Sequence, residues 1–280
     1  MALIENTAKR KMAAGGVALG FGVYHMRSSA VPVLARSSGH DWLFIDAEHG
    51  AFSVQEATQL CIAALPTGIT PIVRVCAGAL DEGARALDNG ALGIVVPHVD
   101  TAKEARHIAE AFHYPPAGHR SWGGPPAVYG YLAPAVHEAQ AAINAEILVV
   151  AMIESPEAVA NVDAIASVEG IDVLLIGTSD LTAEMGISGQ IGHERVLEAY
   201  QAVIAAARRH GKFAGMGGVY DQVNARRYIG MGAQFILSGS DHSFLMAGAT
   251  ARSQFLRTID PAVFEVEAPE VGGRKKAKKK

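Results

Sequence analysis

The chain has 280 residues, half of them hydrophobic and 19% charged, enough to bury a sizeable core as one large domain or two small ones. The formal net charge is −4, yet the last seven residues, Arg274 to Lys280, hold six of the 24 basic side chains. The remaining body is acidic, which argues against nucleic acid as its partner, and no apolar run reaches the roughly 18 residues of a membrane span.

Residues 1–16 read as an N-terminal helix; Lys9, Arg10 and Lys11 are not followed by an apolar stretch of signal length. Cys61 and Cys76 both sit in apolar settings, so a reduced, soluble, cytoplasmic protein is expected rather than a disulfide scaffold. From residue 17 onward, short apolar runs alternate with amphipathic stretches. The predicted strands are Val17–Val23, Trp42–Asp46, Pro71–Val75, Leu92–Pro97, Leu148–Glu154, Asp172–Gly177, Lys212–Gly217 and Gln234–Gly239. Predicted helices lie at Val54–Ala64, Leu80–Asn89, Thr101–Ala111, Pro156–Ser167, Glu194–His210 and Tyr220–Met231. Gly90, Gly170, Gly211 and Gly232 fall where helix C-caps belong. This alternation, without a break in composition, predicts an α/β fold: a single-domain (β/α)₈ TIM barrel over residues 17–259. A doubly wound open sheet is the alternative, weakened by the lack of a Gly-rich loop after the first strand. One long Gly/Pro-rich connection, from His113 to Glu146, reads as a lid or an interface element. Residues 260–280 read as a flexible basic tail, with a functional contact as the alternative.

In a barrel, functional groups gather at the carboxyl ends of the strands. The second strand closes on Asp46, Glu48 and His49, an acid, base and metal-ligand set that could instead be the acidic start of a helix. The third brings Arg74 and the fourth His98; either could be purely structural. The fifth ends at Glu154, where an unpaired charge is costly and a metal or an arginine partner is expected. The sixth gives Gly177, Thr178, Ser179 and Asp180, although Asp180 could simply cap a helix; the eighth gives Ser238 to Asp241. Asp88 reads first as a helix C-terminal residue. Glu154 and Asp180 together suit a hard divalent cation, because two carboxylates leave positions for water and substrate. Gly177, Thr178 and Ser179 would offer small side chains and backbone N–H groups to a substrate carboxylate. No lysine outside the tail lies at a predicted carboxyl end, which argues against Schiff-base chemistry.

At these residues the chain resembles the HpcH/HpaI class II pyruvate aldolases. The carriers are the Asp41–His49 segment, Pro71-Ile-Val-Arg74, Leu87-Asp-Asn-Gly90, Gly93–Pro97, Tyr114–Arg120, Ile153-Glu-Ser155, Gly177–Leu181 and Gly239-Ser-Asp241. The resemblance implies a barrel of the phosphoenolpyruvate/pyruvate superfamily, a homo-oligomer (hexamer or trimer of dimers) that exchanges terminal helices between subunits. It implies Glu154 and Asp180 as ligands of Mg²⁺, Mn²⁺ or Co²⁺. Arg74 would stabilise the enolate, and His49, oriented by Asp46 or Asp88, would act as base. The implied reaction is reversible cleavage of a 4-hydroxy-2-oxo acid to pyruvate, or a related 2-oxo acid, and an aldehyde through a metal-bound enolate. A lyase or decarboxylase using the same enolate is the alternative, acting on oxaloacetate, as macrophomate synthase does, or as acyl-CoA lyases do; a non-catalytic binding protein is a further one. The pattern departs from the family at Met152, where glutamine is common, and at Gly177-Thr-Ser-Asp180, where Gly-Pro-Ala-Asp is usual. His119 and Trp122 are expected to give the substrate pocket a bulkier, aromatic rim.

Overall fold

The computed structural model describes residues 2–259. Eight parallel strands close into a barrel in sequence order: β1 (Ala18–Val23), β2 (Trp42–Asp46), β3 (Thr70–Arg74), β4 (Gly93–Val96), β5 (Leu148–Ile153), β6 (Val173–Gly177), β7 (Phe213–Gly217) and β8 (Phe235–Ser240). Between them run α2 (Val31–Ser37), α3 (Val54–Ala64), α4 (Leu80–Asp88), α5 (Ala102–Phe112), α6 (Val136–Glu146), α7 (Pro156–Ala160), α8 (Val162–Ala166), α9 (Thr178–Glu184), α10 (Glu194–Arg209) and α11 (Gln222–Met231). The barrel expected from the alternating pattern is therefore the fold, and the open sheet is excluded by closure of β1 on β8.

Strand period explains both the core and the site. Parallel strands covered on both faces read as continuous apolar runs, and successive side chains alternate between faces. Leu43 and Ile45 join the outer core with the helices, while Trp42 and Phe44 fill the barrel interior beside Ile72, Met152, Leu175 and Leu237. Two residues further along the same strands come Asp46, Arg74, Glu154 and Gly177. The phase that buries the last interior apolar layer thus aims these residues into the mouth above it.

The opposite end is plugged. Helix α1 (Thr7–Ala13) is capped by Asn6, whose side chain accepts the Lys9 N–H and donates to the carbonyls of Leu92 and Glu146. Its Ala8 and Met12 pack with Trp42, which stacks on Phe235 with ring centroids 3.8 Å apart. Gly20 is required here, because a Cβ would overlap the indole of Trp42. Capping boxes at Ser53/Glu56 and Thr101/Glu104 start α3 and α5. Gly90 and Gly211 directly follow the C-caps of α4 and α10, and Gly232 is the C-cap of α11, each with the positive φ expected there. Gly170 also has positive φ but sits in a turn three residues past the C-cap of α8 and ends no helix.

Among the described residues, 243–259 belong to a second unit, which holds α12 (Asp241–Arg257) beyond His242. Phe244, Leu245, Met246, Phe255 and Leu256 on that helix are exposed. The basic tail read from sequence at residues 260–280 lies outside the described residues. No helix among the described residues is long and apolar enough to cross a membrane.

Candidate active site

A cavity of about 260 Å³ opens at the carboxyl ends of the strands. Its floor is the apolar layer of Phe44, Met152, Leu175 and Leu237; its walls carry His49, Arg74, Glu154, Gly177, Thr178, Ser179 and Asp180. Residues far apart in sequence meet here because β-strands two to six all end at the same rim.

Arg74 is the most constrained of these groups. Its Nε lies 2.9 Å from Asp46 Oδ1, its Nη2 2.5 Å from Asp46 Oδ2, and its Nη1 3.0 Å from Glu48 Oε2. The guanidinium also lies over the Phe44 ring, 5.0 Å from the centroid. Burial opposes the charged form, but the hydrogen bonds and charge of Asp46 outweigh it and hold the guanidinium above its ordinary pKa. A fixed cation therefore faces the cavity.

Asp46 does more than hold the arginine. Its Oδ1 also accepts the backbone N–H groups of Glu48 and His49, each at 3.1 Å, which fixes the turn that carries the His49 ring. That ring is 65% exposed and lines the cavity, with Nε2 4.0 Å from Glu48 Oε2. Asp46 thus positions the His49 main chain, and Glu48 stands beside Arg74.

Glu154 is buried, with Oε2 accepting the backbone N–H of His98 at 3.0 Å. His98 holds a left-handed φ of 53°, an uncommon conformation for a non-glycine residue, and its Nδ1 is 3.6 Å from the same oxygen. Burial first, and then the charge of Asp180, push the Glu154 carboxyl above the usual carboxylate range, against the pull of His98 and Arg74. Gly177 closes β6 directly against Glu154: a Cβ at this position would overlap its carboxylate. Asp180 does not cap α9; that position belongs to Gly177, and Asp180 sits in the first turn, exposed toward the cavity. Two neighbouring carboxylates, one buried and under-compensated and with space cleared around it by a glycine, fit a divalent cation. Thr178 is buried and its hydroxyl meets that of Tyr200 at 2.8 Å.

Two expected site residues lie elsewhere in the chain. Asp88, at the end of α4, is bonded through Oδ1 to Arg120 Nη2 at 2.7 Å. Trp122 is half-buried and packs edge-on to Tyr114, with ring centroids 5.4 Å apart. Neither belongs to the cavity lining, and His119 does not either. Asp241, at the end of β8, instead takes the N–H groups of Tyr24, His25 and Met26 at 3.1, 2.8 and 2.7 Å and so shapes the loop after β1. Tyr24 and Tyr220 line the cavity and were not anticipated. Tyr24 directly follows β1, where an aromatic residue after an apolar run is a weak signal, and Tyr220 lies three residues beyond the end of β7, next to Asp221.

Residues 27–247 match the family model for HpcH/HpaI aldolase/citrate lyase. The chain is 37% identical over 255 residues to the 4-hydroxy-4-methyl-2-oxoglutarate aldolase tasA of Hapsidospora irregularis, covering 89% of this chain and 94% of that protein. It is 32% identical over 265 residues to the 2-keto-3-deoxy-L-rhamnonate aldolase of Salmonella schwarzengrund, covering 92% and 96%. The crystal structure of an HpcH/HpaI aldolase from Desulfitobacterium hafniense superposes with a TM-score of 0.86 at 28% identity, over 93% of this chain and 99% of the other. A barrel whose mouth joins Arg74 and His49 to the Glu154–Asp180 pair, with family similarity along nearly all of the described chain, belongs to the HpcH/HpaI aldolase/citrate lyase family.

Proposed function

We propose that the protein is a divalent-metal-dependent class II aldolase that reversibly cleaves a 4-hydroxy-2-oxo acid to pyruvate and a carbonyl compound. The observation that carries this reading is the shared cavity: a carboxylate pair suited to a hard cation and a fixed arginine line the same 260 Å³ space. No lysine among the described residues lines it, so carbonyl activation through a Schiff base has no nucleophile. Both curated relatives are named as aldolases of 2-oxo acids.

Glu154 and Asp180 would hold the cation. When bound, it supplies Lewis-acid polarisation of the 2-oxo group. The start of α9, at Thr178 and Ser179, offers backbone N–H groups and small side chains to the substrate carboxylate. His49 accepts the proton of the 4-hydroxyl as the C3–C4 bond breaks and the electron pair moves into the pyruvate enolate. Arg74, held by Asp46 and Glu48, faces the charge that develops there without having to reorganise. Asp46 serves as the brace of both Arg74 and the His49 turn; Asp88 and Trp122 have no part in this scheme. In place of the glutamine common in the family, Met152 makes the floor of the pyruvyl site apolar.

Incubating the protein with Mg²⁺, Mn²⁺ or Co²⁺, pyruvate and a panel of aldehydes and 2-oxo acids tests this directly. Metal-dependent carbon–carbon bond formation is expected with at least one acceptor. Oxaloacetate decarboxylation without condensation on any acceptor would overturn the aldolase reading in favour of a decarboxylase.

A further inference from the structure

The geometry points to Tyr24 as a further catalytic residue, a hydrogen-bond donor to the 4-oxygen of the substrate; this rests on the aldolase reading above. In a closed eight-stranded barrel, β5 and β6 stand across the mouth from β1 and β2. Glu154 ends β5 and Asp180 follows β6, whereas Tyr24 follows β1 and His49 follows β2. A substrate whose 2-oxo acid end is held at the carboxylate pair therefore directs its far end, with the C3–C4 bond and the 4-oxygen, toward Tyr24 and His49.

Tyr24 is built for that position. Its backbone N–H is fixed by Asp241 Oδ2 at 3.1 Å, and its ring packs between Phe44, 6.4 Å away, and His242, edge-on at 5.5 Å. The residue lines the cavity, and its phenol feels the charges of both Asp46 and Arg74. Burial first, and then the Asp46 charge, raise its pKa far above that of a free phenol, so the hydroxyl keeps its proton throughout the working range. It can donate a hydrogen bond and cannot serve as base.

The balance of the step is simple. In cleavage the 4-hydroxyl proton passes to His49, the C3–C4 electron pair becomes the enolate π bond, and O4 becomes a carbonyl oxygen. Negative charge builds transiently on O4, and the Tyr24 O–H stabilises it without giving up its proton. In condensation the same donor polarises the acceptor carbonyl. Enolisation of pyruvate alone involves no O4 and has no use for Tyr24.

That difference supplies the test. The Mn²⁺-loaded protein and its Tyr24→Phe variant are compared in cleavage of 4-hydroxy-4-methyl-2-oxoglutarate and in deuterium uptake at the pyruvate methyl group, followed by NMR in D₂O. The expected result is a loss of about 10–100-fold in kcat for cleavage with exchange almost unchanged. Equal loss of both would make Tyr24 a brace of the Asp46–Arg74 pair, and an unchanged kcat would leave it no role; either overturns the assignment. Wild-type protein that exchanges pyruvate but cleaves no 4-hydroxy-2-oxo acid would instead bring down the aldolase reading, and Tyr24's role with it.

Discussion

Arg74 and Asp46 form a two-pronged buried ion pair, Nε to Oδ1 at 2.9 Å and Nη2 to Oδ2 at 2.5 Å, between residues paired in register on β3 and β2. Neither side chain is more than 6% exposed. A buried pair of this kind is weak evidence for net stability, since desolvation of the two charges offsets much of their attraction. Its value is geometric: the planar guanidinium is clamped at two edges and its charge is aimed rather than free to swing.

Arg74→Lys keeps the charge and discards the clamp. A lysine can reach Asp46 through one nitrogen only, so the cation at the enolate position is no longer fixed. A loss of about 100-fold or more in turnover is expected, with Mn²⁺ affinity within a few-fold of wild type, as read by a fluorescence or EPR titration. Retention of near-wild-type turnover would mean that the charge alone suffices and that the Asp46 clamp has no catalytic role. Arg74→Ala is the less informative variant, because it strands Asp46 as an uncompensated buried charge at a cost of about 3–5 kcal/mol.

Gly177→Ala tests the metal assignment from a residue that carries no chemistry of its own. The added methyl would overlap the carboxylate of Glu154, and the nearest atoms it meets all belong to that side chain. The carboxylate must turn away for the variant to fold, at an overpacking cost of about 1–3 kcal/mol. Mn²⁺ affinity is expected to fall at least about tenfold, since displacing a ligand or its support typically costs that much. Unchanged affinity in a folded variant would remove Glu154 from the ligand set.

Most of the barrel was legible because its strands are covered on both faces, which turns each into an unbroken apolar run. Trp42–Asp46 agrees at both ends, and the other strands differ by a residue or so at their boundaries. The predicted helix over 156–167 is broken into α7 and α8 at Asn161, which leaves helical geometry and donates its side-chain N–H to the Asp100 carbonyl at 2.8 Å. Helix α9 was read only as a possible capped start at Asp180, and α2 was not anticipated; both are seven residues long, too short to show a period. Site residues were legible where a charge interrupts an apolar strand at the interior phase, as at Asp46, Arg74 and Glu154. Tyr24 and Tyr220 were not, because an aromatic side chain beyond a strand looks the same in sequence whether it enters the mouth or the core. Sequence spacing also could not tell that Asp88 pairs with Arg120.

Metal binding should depend on pH in a direction set by Glu154. Its carboxyl is raised by burial and by Asp180, so the metal-free protein retains that proton to higher pH than a free glutamate would. A cation must displace the proton, and affinity therefore rises with pH until Glu154 is ionised. Stability moves the other way in the metal-free protein. A raised carboxyl favours the fold fully below its unfolded value, and that contribution is lost as pH climbs through the folded one. Bound cation compensates the exposed cost, so the gain in Tm on adding Mn²⁺ should be larger at about pH 8 than at about pH 5.5. Glu154→Gln removes the titrating group while keeping its shape. In that variant Mn²⁺ should bind weakly and the pH dependence of its affinity should flatten, as read by calorimetric titration at the two pH values. An unaltered slope in Glu154→Gln would assign the proton to another group and would separate the cation from Glu154.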